Sequence, residues 1–177
     1  MNSLEHTILT GAVGAQQRYR AMSGGYWLWH APESFLQNEI ARGIWRLGFN
    51  VYIDASGVRV LRDMGAVRGP MAKLRSKRHD ITVWYKSSSY LRAIVEIKRA
   101  WTTSLLRLDV HKLLASLALS GGAKSGYLLV YSEAKARATL EARFDRWSSK
   151  LPANLIGTRL RSPRDDDWHW GAALFRV

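Results

Sequence analysis

The order of the apolar segments predicts an α/β sandwich in which helices pack against a mixed β-sheet. The clearest observation is a pair of alternating segments, 80–85 and 90–98, which are rich in β-branched and aromatic residues. The polar residues 86–89 between them are typical of a hairpin turn. Apolar residues at helical spacing lie before and after this hairpin, over 36–47 and 113–119. Helices and strands therefore alternate along the chain.

Each predicted element has a local signal. Pro32 begins a helix because its fixed φ suits the first turn, and Gly48 ends it. Asp109 can cap the start of a later helix, which the glycines at 121–122 end. In chain order, we predict a helix over 3–21, a short aromatic strand over 26–30, a helix over 32–47, a strand over 50–54, an irregular basic segment over 58–79, the hairpin, a helix from 109, a strand over 127–131, a helix over 133–150 and a strand over 170–177.

The composition predicts one folded domain with a basic surface. The chain has 177 residues, of which 27 are Lys or Arg and 14 are Asp or Glu, so its formal charge is +13. Eight tryptophans and 47% hydrophobic residues are atypical of a disordered tail. We expect a single domain over 1–177, with a helical extension over 1–31, a core over 32–131 and a C-terminal helix and strand over 132–177.

Charge and cysteine content limit the function classes. A strongly basic folded surface favours a polyanionic partner, nucleic acid first and an acidic membrane surface second. The absence of cysteine excludes disulfides, thiolate zinc sites and cysteine nucleophiles. No apolar segment approaches the roughly 20 residues that span a bilayer, and no leader peptide is recognisable. We therefore expect a soluble cytoplasmic protein.

Acidic residues are scarce in the middle of the chain, and their positions are informative. Between Met64 and Ser132 there are twelve Lys or Arg residues but three acids, Asp80, Glu96 and Asp109. Two of these acids lie in the apolar strands of the predicted hairpin. A carboxylate on a half-buried strand costs free energy unless it is paired or holds a metal ion.

The hairpin geometry brings Asp80 and Glu96 together. If the turn centres on Ser88, residues whose numbers add up to 176 face each other, so Asp80 lies opposite Glu96 with Cβ atoms about 5 Å apart. Strand alternation places Lys98 on the same face as Glu96. Two like charges at this distance repel, and a divalent cation relieves the repulsion. The structural alternative is that Asp80 begins a strand and Glu96 pairs with a neighbouring basic residue.

This arrangement resembles the PD-(D/E)XK nuclease superfamily. The residues that carry the resemblance are Arg78-His79-Asp80-Ile81 and Ile94-Val95-Glu96-Ile97-Lys98, with His79 at the position of the motif's proline. The likeness covers residues 32–131 and implies a restriction-endonuclease-like αβββαβ core, whose mixed sheet is flanked by helices on both faces. It also implies that Asp80, Glu96 and the main-chain carbonyl of Ile97 ligate Mg²⁺ or Mn²⁺. Lys98 would orient or help deprotonate the attacking water.

Many members of this superfamily add a glutamate from the first core helix, and two candidates are present. With about 100° per residue, Glu33 lies on the same helical face as Leu36 and Ile40. Glu39 lies beside Arg42 and Arg46, where an exposed ion pair is expected. We therefore expect Glu33 at the metal site, although a first-turn acid is also favoured by the helix dipole. Gln37, one turn later, can support it.

A basic segment leads directly into Asp80. From Arg59 to His79 there are seven Lys or Arg residues and one acid, Asp63. A charge run is ordinarily a solvated surface, but this one borders the predicted site, so we interpret it as a clamp on the phosphate backbone. The predicted nucleic-acid contacts are Arg62, Arg68, Lys73, Arg75, Lys77, Arg78 and Arg99.

The sequence thus predicts a Mg²⁺- or Mn²⁺-dependent nuclease that hydrolyses phosphodiester bonds in DNA, and RNA is a possible substrate. The alternative is a nucleic-acid-binding module on the same fold without turnover. A homodimer or a larger assembly is compatible with either prediction. Restriction or phage defence, repair and recombination, and mobile elements all use such chemistry, and the sequence favours none of them.

Overall fold

The architecture is a single mixed sheet with helices packed on it. A computed structural model describes residues 1–63, 77–87, 90–100, 102–119, 125–162 and 168–177. The helices are α1 (Ser3–Met22), α2 (Glu33–Arg46), α3 (Gly57–Asp63), α4 (Thr103–Leu119) and α5 (Arg137–Lys150). The strands are β1 (Asn50–Ser56), β2 (Arg78–Trp84), β3 (Leu91–Arg99), β4 (Gly126–Ala134), β5 (Asn154–Arg161) and β6 (His169–Arg176).

The six strands follow the order β1-β2-β3-β4-β6-β5. Strands β3 and β4 run parallel, and the other neighbouring strands run antiparallel. Helix α4 connects the parallel pair, as a parallel connection requires a crossover. The predicted α/β class with a mixed sheet is therefore confirmed.

Two apolar cores cover the two faces of the sheet. On one face, α1 and α2 bury side chains such as Ile8 and Ile40 against Ile81 of β2. On the other face, α4 and α5 bury Val110 and Phe144 against other strand residues. Each large apolar side chain buried in this way contributes about 1.5–3 kcal/mol relative to exposure. The helices on both faces agree with the expected layering.

The hairpin of β2 and β3 has the predicted register. The partners Ile81↔Val95 and Val83↔Ala93 both add up to 176, and the register shifts only at Trp84, which pairs with Leu91. The pairing brings the beginning of β2 next to the end of β3. This is the part of the sheet that carries the motif residues.

The helix predicted to begin at Pro32 is present as α2, and Gly48 lies just beyond its end with φ +88°. This left-handed conformation is readily adopted by glycine, so the predicted stop is confirmed. Helix α1 likewise covers nearly the range predicted for the first helix.

The prediction of a strand over 26–30 is wrong. Leu28–His30 form a short 3-10 turn, in which the Leu28 N–H donates to Gln16 Oε1 at 2.8 Å. The Arg20 guanidinium lies 5.5 Å from the centre of the Trp27 ring. The aromatic segment therefore packs against α1, and its apolar character serves that contact.

Three other boundaries differ from the predictions. The segment 58–79 is not irregular throughout, because α3 begins at Gly57 and buries Val60. Asp109 is not an N-cap, since α4 begins at Thr103. Residues 133–134 extend β4, so α5 begins at Arg137.

Strand β5 was not predicted. Its side chains are mostly half-buried on both faces, so it lacks an alternating pattern, and its register shifts between Leu155 and Gly157. It lies at the edge of the sheet and pairs with β6 alone among the described strands. Within the described ranges, no helix combines the length and the apolar character needed to cross a membrane.

Candidate active site

Asp80 is half-buried near the beginning of β2 and is anchored from two sides. Its Oδ2 accepts a hydrogen bond from the Ile97 backbone N–H of β3 at 2.6 Å. Its Oδ1 accepts one from Gln37 Nε2 of α2 at 3.1 Å. The backbone pairing of β2 with β3 ends at Ile81↔Val95. The Ile97 N–H lies past this last pair, and the Asp80 carboxylate accepts its hydrogen bond in place of a backbone carbonyl. The carboxylate thus lies where β2 and β3 diverge.

Glu96 is almost completely buried, with an exposed fraction of 1%, and both of its oxygens have partners. Oε1 lies 2.6 Å from His79 Nδ1, and Oε2 forms an ion pair with Lys112 Nζ of α4. Lys112 Nζ also donates to the Arg78 carbonyl at 3.0 Å. The ion pair and the histidine contact offset the cost of burying a carboxylate.

The second ring nitrogen of His79, Nε2, contacts a side chain of α4. His79 Nε2 lies 3.2 Å from Ser116 Oγ, and the histidine is itself buried. His79, at the position that the resemblance gives to a proline, therefore orients the Glu96 carboxylate through its Nδ1. A proline would lack this polar side chain.

Glu96 and Lys98 lie on the same face of β3, as predicted. Glu96 contacts Lys112, and Lys98 Nζ lies 3.8 Å from Asp109 Oδ2, so both side chains reach α4. Asp80 instead contacts Gln37 of α2, which packs on the opposite face. The prediction that Asp80 shares the face of Glu96 and Lys98 is therefore wrong.

The reason lies in the neighbouring strand. Asp54 of β1 has φ +53°, a left-handed conformation that is uncommon outside glycine. Residues two apart in a strand ordinarily share a face. Here Ile53, before Asp54, packs against the core under α1 and α2, whereas Ala55, after it, packs against the core under α4 and α5. Their partners Ile81 and His79 change faces in the same way. This reversal leaves Asp80 at the junction between the two faces.

Helix α2 presents Glu33 and Gln37, but not Glu39, towards Asp80. Gln37 donates to Asp80, and the charge of Glu33 raises the Asp80 pKa, so Glu33 is within electrostatic reach. Glu39 pairs with Arg42 at 2.5 Å, as expected, and also with Arg18 of α1. The Glu39 side chain is 11% exposed, so the expectation of a solvated pair is wrong.

Electrostatics at the site raise the pKa values of two carboxyl groups. The pKa of Asp80 is raised to about 7, mainly by burial and further by the negative charges of Glu96 and Glu33. The hydrogen bond from Ile97 and the positive charge of Lys112 act in the opposite direction and lower it. Burial also raises the pKa of Asp109, while Lys98 and Lys112 oppose the shift. The site concentrates negative charge that two lysines balance in part.

The side chains fit a hard divalent cation in their chemistry. Asp80, Glu96 and Glu33 supply carboxylate oxygens, which Mg²⁺ and Mn²⁺ prefer as ligands. The charges of Glu96 and Glu33 disfavour the ionised form of Asp80, and a bound cation would relieve this repulsion. Each Asp80 and Glu96 oxygen already has a nitrogen partner but retains a second lone pair. In the described part of the chain, no three His, Asp or Glu side chains form a ready-made metal cluster.

The predicted nucleic-acid contacts divide into three groups. Arg62, Lys77 and Arg78 are exposed, and Arg78 forms an ion pair with Asp54. Arg68, Lys73 and Arg75 lie outside the described residues. The basic segment therefore presents at least part of its charge next to Asp80.

Arg99, the third group, is half-buried and has partners within the fold, and its contact with nucleic acid stays a prediction. Its Nη1 donates to the Trp29 carbonyl and, at 2.9 Å, to the Ala31 carbonyl. Its guanidinium also lies 5.6 Å from the centre of the Trp29 ring. Arg99 fastens the end of β3 to the turn before α2, and a charge count alone cannot distinguish this use from a surface one.

Helix α4 contributes three polar side chains to the site, of which the sequence predicts Asp109 as a helix cap and does not indicate Ser116. Asp109, Lys112 and Ser116 are spaced three and four residues apart, which places them on one face of the helix. All three contact β2 or β3 residues of the site. A polar stripe in an otherwise leucine-rich helix is the signal that could have identified them.

Comparisons of the chain with family models, curated proteins and solved structures gave no match.

Proposed function

We propose that this chain is a metal-dependent nuclease with a restriction-endonuclease-like core, which hydrolyses phosphodiester bonds in DNA. The observation that carries the proposal is the electrostatic coupling of Asp80 and Glu96, together with the hydrogen bond that holds Asp80 to the Ile97 N–H, next to Glu96. Lys98 lies two residues beyond Glu96 on the same face, and Glu33 of α2 is within electrostatic reach of Asp80. These are the residue types that the motif assigns to the reaction.

Asp80, Glu96, Glu33 and the Ile97 carbonyl would hold Mg²⁺ or Mn²⁺. When bound, such an ion polarises the phosphoryl group and lowers the pKa of its water. The protein's own part is to keep the carboxylates in position. Gln37 and the Ile97 N–H fix Asp80, while His79 and Lys112 fix Glu96.

Lys98 supplies positive charge to the reacting phosphate. Its side chain is 33% exposed, so the ammonium can meet a substrate, and Asp109 lies 3.8 Å away to hold it in place. Negative charge develops on the phosphate oxygens in the transition state, and a fixed cation stabilises that charge. Lys98 therefore orients the attacking water and offsets the charge on the phosphate.

The charge distribution supports a nucleic-acid substrate. The chain carries a formal charge of +13, and Lys77 and Arg78 are exposed immediately before Asp80. Cations at this position can contact phosphates on either side of the scissile bond. The basic surface and the carboxylate site therefore adjoin.

A binding module without turnover is the second candidate, and one observation favours it. Both Glu96 oxygens and both Asp80 oxygens already have nitrogen partners within the protein. If these contacts persist when DNA binds, the carboxylates serve the fold and do not hold an ion.

The two candidates differ in an assay of plasmid cleavage. The full chain is incubated with supercoiled plasmid in Mg²⁺ or in a chelator, together with Asp80→Asn, Lys98→Ala and the control Glu141→Gln, an exposed residue of α5. A nuclease converts the plasmid only with Mg²⁺, and the two site variants lose this activity while still binding DNA. Retention of plasmid by the wild type without any cleavage in Mg²⁺ or Mn²⁺ would support the binding module.

A further inference from the structure

A cleft of about 380 Å³ is lined by residues of β1, α3 and β2, the strand that also carries Asp80. Its walls include Tyr52 and Asp54 of β1, Arg59 of α3, and Arg78 and Trp84 of β2. A volume of this size is within the range of small-ligand pockets. The proposed roles of Asp80, Glu96 and Lys98 make no use of this cleft.

The cleft has an aromatic and cationic wall. The Tyr52 side chain is 52% exposed, and its ring packs edge-on against Trp84 with the ring centres 6.3 Å apart. The Arg59 guanidinium lies 6.0 Å from the centre of the Tyr52 ring. Flat aromatic and guanidinium groups of this kind are the surfaces on which nucleobases stack in single-strand binding sites.

A second cation, Arg78, also lines the cleft and lies two residues before Asp80. The Arg78 guanidinium forms an ion pair with Asp54 and also donates to the Asp54 carbonyl at 2.6 Å. The Arg78 carbonyl in turn accepts a hydrogen bond from Lys112, which contacts Glu96. Arg78 therefore connects the cleft to the carboxylate site and presents a fixed, exposed charge.

From this geometry we infer that the cleft binds one unpaired nucleotide of the nucleic acid, with its base against Tyr52 and Arg59 and its phosphate at Arg78. The identity of the ligand rests on the proposed function. A base within a duplex is stacked between its neighbours and cannot enter a cleft, so the nucleotide is at a single-stranded, flipped or terminal position. The cleft thus gives the enzyme a preference for nucleic acid with unpaired bases next to the scissile phosphate.

Binding in a chelator tests this inference without cleavage. Fluorescence anisotropy measures the affinity of the full chain for a short oligo(dT) and for a blunt hairpin duplex. Tyr52→Ala is expected to weaken oligo(dT) binding about tenfold and duplex binding less than about twofold, because the variant removes one aromatic ring on which a base stacks. Tyr52→Phe retains the ring and the affinity, and the control Tyr90→Ala, at an exposed tyrosine of the hairpin, changes neither.

Arg59 gives an independent variant if Tyr52→Ala does not fold. Arg59→Lys keeps the charge but lacks the planar group, so it is expected to lose oligo(dT) affinity selectively. The inference is overturned if these variants bind oligo(dT) as the wild type does, or if they lose duplex binding to the same extent. Plasmid cleavage with unchanged oligo(dT) binding would reject the cleft alone, whereas selective loss of oligo(dT) binding in a chain without cleavage would reject the nuclease proposal alone.

Discussion

The raised pKa of Asp80 predicts that this residue destabilises the metal-free fold at neutral and alkaline pH. Its carboxyl group titrates at about 7 in the folded chain because burial and the charges of Glu96 and Glu33 disfavour the anion. The ordinary value of 3.8 applies in the unfolded chain. Protons are therefore bound more tightly by the folded state between these two pH values, and the contribution of Asp80 to stability falls as the pH rises through this range.

The size of the effect follows from the difference between the two pKa values. At about 1.4 kcal/mol per pKa unit, a rise from 3.8 to about 7 corresponds to a decrease in stability of roughly 4 kcal/mol above pH 7. Asp80→Asn removes this penalty, because the amide is neutral at every pH. Its oxygen can accept from the Ile97 N–H, and the Gln37 amide can turn to present its own oxygen.

Urea denaturation in a chelator checks this prediction at pH 5 and pH 8. We expect Asp80→Asn to be more stable than the wild type at pH 8 by about 2–4 kcal/mol, with a difference roughly 40% as large at pH 5, where the pH is only slightly above the unfolded pKa. The control Asp145→Asn, at an exposed position of α5, should not change the pH dependence of stability. An Asp80→Asn variant that is equal to or less stable than the wild type at pH 8 would refute the electrostatic account of Asp80.

Three further predictions concern neighbouring residues. Glu33→Gln should slow plasmid cleavage and raise the Mg²⁺ concentration that cleavage needs. Glu39→Gln should leave cleavage unchanged. It should lower the free energy of unfolding, measured by urea denaturation, by roughly 1 kcal/mol, because it weakens the contacts to two arginines. Arg99→Ala should destabilise the fold by roughly 2 kcal/mol, because it removes two charged hydrogen bonds. The salt dependence of DNA affinity should stay the same. A shallower salt dependence would show that Arg99 contacts DNA. The last variant neutralises four basic residues together: Arg62, Arg68, Lys73 and Arg75. The slope of log K for DNA binding against log salt should become shallower by roughly one unit for each phosphate that this variant no longer binds. An unchanged slope would show that these residues form only a solvated segment.

Local patterns predicted two features of the hairpin that carries the site, but not the face on which Asp80 lies. The register of β2 and β3 and the shared face of Glu96 and Lys98 follow from alternation and turn position, which are properties of neighbouring residues. The phase of α2 likewise predicted that Glu33 is nearer to Asp80 than Glu39 is, because apolar spacing sets the inward face.

Features that depend on a second element were not predicted. The side chain of Asp80 changes faces because Asp54, on another strand, adopts a left-handed conformation. Glu96 is paired by Lys112 from α4, and Arg99 bonds to carbonyls near residue 30. These contacts join residues that are distant in sequence, and a single sequence carries no periodicity that specifies them.

We propose that Asp80 and Glu96 together hold one divalent cation. Electron paramagnetic resonance of Mn²⁺ titrated into the full chain without DNA counts the bound ion directly. We predict one bound Mn²⁺ in the wild type, a much weaker site in Asp80→Asn, and a normal site in the control Asp145→Asn. Equal Mn²⁺ binding by the wild type and Asp80→Asn would contradict the account.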